Sequence, residues 1–584
     1  MASHRTSTSP ALREDVDGTV AAPHEVSVRA GLEMLERGGT AVDAAVAAAL
    51  VAGVVEPAET TLAGSGFLVL ADPADGAWSV EFGPRAPRTA HSTMYALDLD
   101  SQDYPVNGVA AVVGKANSDG PLATGVPRTL LGLLTAQERF GRLPRRMVLA
   151  PAIAAAADGF AIDPFFLVSA LGDLGRLGRD AGARATFLDA EGLPLGRTSG
   201  SHAGTSYAPP SRLPQPVLAA TLAEVADAPD LDLLRTGAVA ERIVATSGEL
   251  GGILTAADLA ASAPDIVRPL STVFRGHEIL VPAAPSGGLT QLQALATWQA
   301  LHPEGGPIED TAERTRQLAA VLLHAFADRY HWLGDPDVVP VPPASALLAP
   351  GYIRLLAEQV RARAVPTTEG APPWSFYAGR AEHDPWAFAT SHVPAWEPEL
   401  ASTPTAGTTH VSVVDAEGRA VSVTHTAAHP FGSAIVCSRT GLLLDSAMAW
   451  FNAAPGAANS IRPGARPLAN MGPTVITHEG RPVAALGASG GRRIISTMVQ
   501  LVINLLDRRT SLTDALAAPR VDASGPELLL QGSLGTHAPE LADLAAVAVR
   551  GTNAPFTTDF ARANGAVRHA GGTRSAVDAL CFAP

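Results

Sequence analysis

The sequence predicts an α/β fold, and three stretches carry that expectation. From Pro404 to Thr426 polar and branched apolar residues alternate on both sides of a glycine-containing turn, the pattern of a β-hairpin. The run AVDAAVAAAL from Ala41 reads as a helix. An apolar strand, Val483 to Leu486, leads through Gly487-Ala488-Ser489-Gly490-Gly491 into an apolar helix marked by Ile494, Met498, Val502 and Leu506. At 584 residues the chain is long enough for several domains or for one large unit.

The hairpin fixes its own expected register. A three-residue loop, Ala416 to Gly418 with the glycine left-handed, pairs Asp415 with Arg419. Counting outward, Val413 faces Val421, Val411 faces Val423 and Thr408 faces Thr426. Directly opposed residues hold their Cβ atoms about 4.5–5.5 Å apart. Two hydroxyls therefore meet at the open end, unless a one-residue bulge sends Thr426 to the other face. Such threonine pairs usually only stabilise a sheet, so the pair by itself assigns no chemistry.

Composition narrows the function classes. The chain is 47% apolar and 17% charged, ordinary for a globular protein, and 55 Gly with 47 Pro imply many turns. A net charge of −15 argues against nucleic acid and anionic membrane surfaces as partners. Two cysteines, Cys437 and Cys581, exclude a disulfide framework and a Cys-rich zinc site but leave one bridge open. The first residues, MASHRTSTSPALREDVDG, have no apolar core of signal-peptide length, and the apolar run Ala41 to Val55 contains Asp43 and is too short to span a bilayer. A cytoplasmic protein without membrane contact is expected.

Along the chain, Val28, Leu32 and Leu35 mark a helix that stops at Gly38-Gly39. The glycines of VVEPAETTLAGSGFLVL serve close backbone packing or substrate contact. Arg85, in FGPRAP, is placed either to grip a carboxylate with its fork or as a solvated loop residue. Thr255 has helix-start chemistry. Pro285-Ser286-Gly287-Gly288 lacks the lysine of a phosphate loop and is assigned to structure. His324 and His331 lie seven apart on one helix face without a Glu at metal-ligand spacing, so they are expected to be surface histidines and no metal is expected. Residues 389–407, rich in Pro, Ser, Thr and Ala, read as an irregular, accessible segment.

These segments, in unbroken order from about Asp17 to Asp522, resemble the γ-glutamyltranspeptidase family of N-terminal-nucleophile hydrolases. The family's TTH-x-S-V-V-D stands at Thr408 to Asp415. Its GGNAvDAAvA stands at Gly38 to Ala47 with Thr40 for Asn, and its VVEP-x-x-SGLGGGGF at Val54 to Phe67 with Ala63 and Ser65 for two glycines. Its GVPG, PSSGG and AFADR-x-x-x-LGDP are echoed at Gly125, Pro285 and Ala325. The resemblance implies a four-layer αββα sandwich in which a chain cut between Gly407 and Thr408 gives fragments 1–407 and 408–584 that intertwine as one domain. It implies Thr408 as nucleophile and, through its freed α-amine, as base. Thr426 would orient it, and Gly490 and Gly491 would hold the oxyanion. A terminal amine, with an ordinary pKa of about 7.7–8.0, suits that work near neutral pH. No cofactor is implied, and the partner is a small-molecule substrate.

The substrate-pocket motifs depart from the family. Gly83 stands where relatives carry a carboxylate-gripping Arg, and Trp450 where the second Asp of NN-x-MDDF binds an amino group. Ala469 and Asn470 replace the paired serines of RPLSSMSPT, and Ala428 replaces an Asn. Asp445 lies at another point of the same motif, and it and Arg85 are the remaining candidates to touch substrate. The family implies γ-glutamyl transfer or glutathione hydrolysis. The leading expectation is a self-cutting hydrolase or acyltransferase on an amide or γ-glutamyl-type substrate. Because the changed pocket argues against a glutamyl group, the alternative is another acyl compound, with the C–C bond hydrolases of alkylproline antibiotic pathways as a precedent within the family. A scaffold that kept the fold without catalysis is the reading from another class, and retention of Thr408, Thr426, Gly490 and Gly491 weighs against it.

Overall fold

The computed structural model describes residues 18–98, 111–195, 211–305, 311–363, 384–390, 407–525, 527–551, 559–569 and 572–578. Two six-stranded antiparallel sheets form its centre. The first is built from β1 (Thr19–Ala21), β2 (Ser65–Asp72), β3 (Gly76–Phe82), β4 (Asp265–Val267), β7 (Gly407–Val414) and β8 (Ala420–Ala428), in the order β1-β7-β8-β2-β3-β4. The second uses β5 (Leu270–Phe274), β6 (His277–Val281), β9 (Thr474–His478), β10 (Arg481–Ser489), β11 (Arg562–His569) and β12 (Gly572–Val577), in the order β12-β11-β10-β9-β6-β5. Each sheet mixes strands from before and after the Gly407–Thr408 bond.

The period-2 pattern of β7 and β8 explains how the layers stack. Val411, Val413, Val421 and Val423 point outward into a core made with helices. The alternate residues point at the other sheet, where Val414 and Ala420 meet Val475, Ala485 and Ala566. The Ser422 hydroxyl donates to the Leu486 carbonyl across that gap at 2.8 Å. On the outer face of the first sheet lie α1 (Glu25–Glu36), α2 (Ala41–Val55), α3 (Thr129–Phe140), α4 (Arg145–Asp158) and α5 (Pro216–Asp227). The second sheet is covered by α6 (Gly288–Leu301), α7 (Ala312–Trp332), α8 (Pro350–Arg361) and α9 (Arg493–Leu506). Helix, sheet, sheet and helix give the four layers that the sequence leads one to expect.

Small side chains decide the position of α2. Its Ala-rich surface is buried on every side, so sheet and neighbouring helices approach it closely. Thr40 caps it with a reciprocal Asp43 bond. The buried Asp43 carboxylate also accepts from Gln137 Nε2 (3.0 Å), Arg142 N (2.8 Å) and Leu143 N (3.2 Å), tying α2 to the α3–α4 connection. Thr255 likewise caps a short helix with Asp258. No helix among the described residues is long and apolar enough to cross a membrane.

Two sequence expectations need correction or placement. His324 and His331 are not surface residues: they are 1% and 3% exposed. Their shared face of α7 is the packed one, because α7 is buried along most of Thr315 to Trp332. Burial lowers His331 to about 4, so it is neutral at physiological pH. No cluster of metal-ligating side chains occurs among the described residues. The accessible segment expected over 389–407 falls almost wholly outside the described residues, as does Cys581, while Cys437 is buried and free.

Candidate active site

The hairpin has the register its turn dictates. Asp415 N donates to Arg419 O at 3.0 Å, Gly418 is left-handed at φ 88°, and Val413↔Val421, Val411↔Val423 and Thr409↔His425 are paired. The ladder then shifts, and Gly407 pairs with Ala428. The extra residue is on β8, where Thr426 and Ala427 stand opposite Thr408, whose hydroxyl stays on the Thr426 side. Thr408 Oγ1 lies 3.4 Å from Thr426 Oγ1, to which it donates. Thr426 Oγ1 in turn donates to the carbonyl oxygen of Gly407 and accepts from Ala428 N at 2.8 Å. Both threonines are buried. One hydroxyl thus touches the carbonyl of the Gly407–Thr408 peptide and the hydroxyl beside it.

The amide side of the same peptide is held as well. Thr408 N donates to Glu59 Oε2 at 3.0 Å, and Glu59 Oε2 is paired with Arg562 Nη2 at 2.6 Å. Thr409, on the opposite face, donates to Glu56 Oε2 at 2.8 Å. Close approach builds this corner. A Cβ on Gly64 would collide with the Thr426 carbonyl oxygen, so the glycine lets the segment after Glu59 lie directly against β8.

Burial sets the charges around the threonines. His410 bonds Thr424 Oγ1 and Ser412 Oγ, each at 2.8 Å, and His425 bonds Thr60 Oγ1 at 2.7 Å. Desolvation lowers both imidazoles to about 3, so neither carries a proton to donate as a cation. Desolvation raises Glu56 to about 8, against the Thr409 hydrogen bond. A carboxyl raised in the folded state stabilises it fully below its unfolded pKa, and that stability is lost as pH rises towards the folded one. The loss runs over the window between about pH 4.5 and 8. Glu56→Gln, which mimics the neutral acid, is therefore expected to flatten the fall of Tm between pH 6 and 8.5. Parallel melting curves of variant and wild type would discount the role of Glu56.

Gly490 and Gly491 sit where β10 ends and α9 is about to begin, with φ of 136° and 62°. Side chains are disfavoured at both angles, and a Cβ on Gly490 would stand 2.6 Å from Ala561 Cα. Among the described residues neither glycine's N–H donates to a protein acceptor. Strand β10, which leads into these glycines, packs against the β7–β8 hairpin.

The other candidates surround this centre unevenly. Trp450, Ala469, Ala428, Phe67 and Met471 form one buried apolar cluster, and Ala428 is the residue bonded to Thr426. Ala428 is left-handed at φ 74°, a conformation asparagine tolerates better than alanine. Asp445 accepts from Gly125 N at 2.8 Å through Oδ1, and desolvation raises its carboxyl to about 7. Asp445 Oδ2, Trp450 Nε1, Asn470 Nδ2 and Arg85 Nε are buried without hydrogen-bond partners among the described residues. Arg85 is thus half-buried rather than a solvated loop residue. Asn470 and Ala469 are held by Arg329, whose Nη2 donates to Asn470 Oδ1 (3.3 Å) and Ala469 O (2.8 Å). The Pro285–Gly288 turn backs the same loop through Ala469 N to Pro285 O at 2.9 Å, the structural role expected of it.

Two side chains of this neighbourhood, Glu59 and Arg562, are not singled out by the sequence. A third, Arg128, stands in the place of the last glycine of the family's GVPG, but its contacts are not foreseen. It is buried and donates to the carbonyls of Gly83 (2.9 Å), Ser262 (3.1 Å) and Ala263 (2.7 Å). A cation absent at position 83 is therefore present on its backbone, but turned to carbonyls. The available signal was an Arg at a turn glycine next to a glycine at an Arg position.

Comparison with known proteins agrees with this architecture. Residues 27–531 match the family γ-glutamyltranspeptidase. A glutathione hydrolase proenzyme of Pseudomonas sp. (strain A14) is 32% identical over 88% of this chain and 83% of its own. An acylase ACY 1 proenzyme of Pseudomonas sp. (strain SE83) is 31% identical over 88% of this chain and 84% of its own. The cephalosporin acylase structure from Bacillus halodurans superposes with a TM-score of 0.77 at 20% identity, over 99% of this chain and 98% of that one, which shows the shared fold. With matching motifs, layers and relatives, the chain belongs to the γ-glutamyltranspeptidase family of enzymes.

Proposed function

We propose that this enzyme cuts its own chain between Gly407 and Thr408 and then uses Thr408 as the nucleophile of an acyl hydrolase or acyltransferase. One observation carries the reading. Thr426 Oγ1 donates to the Gly407 carbonyl while it accepts from Thr408 Oγ1. The bond to be broken is polarised by the residue that orients its attacker. After the cut, the Thr408 α-amine serves as base, because burial leaves the two neighbouring imidazoles too weakly basic, at about 3, and both are engaged in other hydrogen bonds. Substrate acyl transfers to Thr408 Oγ as an ester, and water or an amine releases it. The amides of Gly490 and Gly491 face the oxyanion.

The acyl group is proposed to be an amide or γ-glutamyl type in the broad sense, with a non-glutamyl compound favoured. The cluster of Phe67, Trp450, Ala469 and Met471 beside Ala428 supports that preference. Relatives named for glutathione hydrolysis and for acylase activity are about equally similar to this chain.

The first test is a denaturing gel with N-terminal sequencing of purified protein. Two fragments, the smaller beginning Thr-Thr-His-Val, are expected from the 59.9 kDa chain. An active enzyme that stays in one piece would sink the mechanism.

A further inference from the structure

We propose that Glu59 is a catalytic residue of the self-cleavage, holding the Thr408 nitrogen before the cut and its α-amine afterwards, with Arg562 as counter-ion. This rests on the reading that Thr408 is the nucleophile. Glu59 Oε2 is the acceptor of the scissile N–H at 3.0 Å, and the same oxygen meets Arg562 at 2.6 Å. The main chain of Glu59 is anchored too, since its carbonyl accepts from Ala427 N at 3.3 Å beside Thr426. Its position is one of the two unspecified places in the family's VVEP-x-x motif, so the motif itself assigns it nothing.

The chemistry gives that contact a purpose. Thr408 Oγ bonds to the Gly407 carbonyl carbon and gives up its proton. The C–N bond breaks as the nitrogen takes a proton, and an ester replaces the amide. Water then splits the ester into the Gly407 carboxylate and the free Thr408 hydroxyl, leaving an ammonium or amine at Thr408. The nitrogen begins with one N–H and ends with two or three. A carboxylate already bonded to it favours each gain of a proton. In the cut enzyme that same charge raises the amine pKa, and Arg562 offsets it so that the amine remains a usable base. The other titratable groups here are Glu56, held neutral on the far side of Thr409, Asp163 near Glu56, and the neutral His410 and His425.

The test is the rate of chain cutting together with the pH dependence of Thr408 α-amine acetylation by acetic anhydride, read by mass on the N-terminal peptide of the small fragment. Glu59→Gln is expected to slow cutting at least tenfold and to lower the acetylation midpoint by about one pH unit. Arg562→Gln is expected to raise that midpoint, a reversal that a merely structural pair does not produce. Wild-type cutting by Glu59→Gln, or midpoints unmoved in both variants, would overturn the proposal. Thr408→Ala runs alongside: if it is still cut at the same bond, the nucleophile assignment fails instead.

Discussion

The Thr408→Ala protein is expected to remain a single chain of 59.9 kDa, folded and without turnover. Alanine removes the one hydroxyl placed against Thr426 Oγ1 and cannot form an ester. Loss of a nucleophile in comparable hydrolases costs about 10⁶ in kcat, so residual activity should lie below detection. Thr408→Ser keeps the hydroxyl and is expected to cut itself, more slowly because serine lacks the methyl that fixes the rotamer in a strand. Thr426→Val is the sharper variant, since it keeps shape and strand propensity. It removes the donor to Gly407 O, the acceptor for Thr408 Oγ1 and the acceptor for Ala428 N together. Losing the contact that orients Thr408 Oγ1 and polarises the Gly407 carbonyl should slow cutting by about 10²-fold or more, and the buried groups left without a partner, at about 1–3 kcal/mol each, should lower Tm as well. Normal cutting in Thr426→Val would show that the hydroxyl is a bystander. Gel densitometry against time measures both variants.

Much of this centre is legible in the sequence because it is local. A turn with Gly418 in the left-handed position fixes the pairing of Val413 with Val421, and alternation then carries the register outward to Thr408 and Thr426. The bulge opposite Thr408 is not legible, because Gly407 there packs on the backbone of Ala58 and Glu59, which are remote in the chain. Glu59 and Arg562 escape for the same reason: neither has a periodic or spaced signature, and their pairing exists only once the sheets stack. The two histidines of α7 show the limit of face arguments. A seven-residue spacing says that side chains share a face, not whether that face meets solvent or another helix. At the pocket, changed residue types are readable but conformations are not. Arg128 is readable as an Arg in the place of a motif glycine, but that its guanidinium donates to main-chain carbonyls is not.

Self-cleaved wild-type enzyme is expected to handle γ-glutamyl anilides and glutathione poorly, with kcat/KM well below the 10⁴–10⁸ M⁻¹s⁻¹ of efficient enzymes. A glutamyl group brings an α-ammonium and an α-carboxylate, and each needs a partner once it leaves water. By the family resemblance Trp450 stands where relatives place the ammonium's partner, and here it is a buried ring packed with Phe67 and Ala469. The remaining acid nearby, Asp445, is pushed up to about 7 by burial and has one oxygen committed to Gly125 N. On the carboxylate side Gly83 offers no cation. Leaving those charges unpaired in a buried site costs about 3–5 kcal/mol, so apolar or aromatic acyl anilides should be turned over faster than γ-glutamyl anilide. Restoring the charges is expected to be unequal in its two halves. Trp450→Asp opens space and supplies the anion, at a packing cost of about 3–5 kcal/mol that melting would register. Gly83→Arg must displace Phe67, whose ring atom Cζ lies 2.6 Å from the Cβ such a residue would have. It also adds a cation where Arg85 and Arg128 already repel. Trp450→Asp should therefore raise γ-glutamyl turnover tenfold or more, and the double variant should exceed it only when Phe67 is also reduced to leucine. Efficient glutathione hydrolysis by the processed wild type would refute this account of the pocket while leaving the Thr408 mechanism in place.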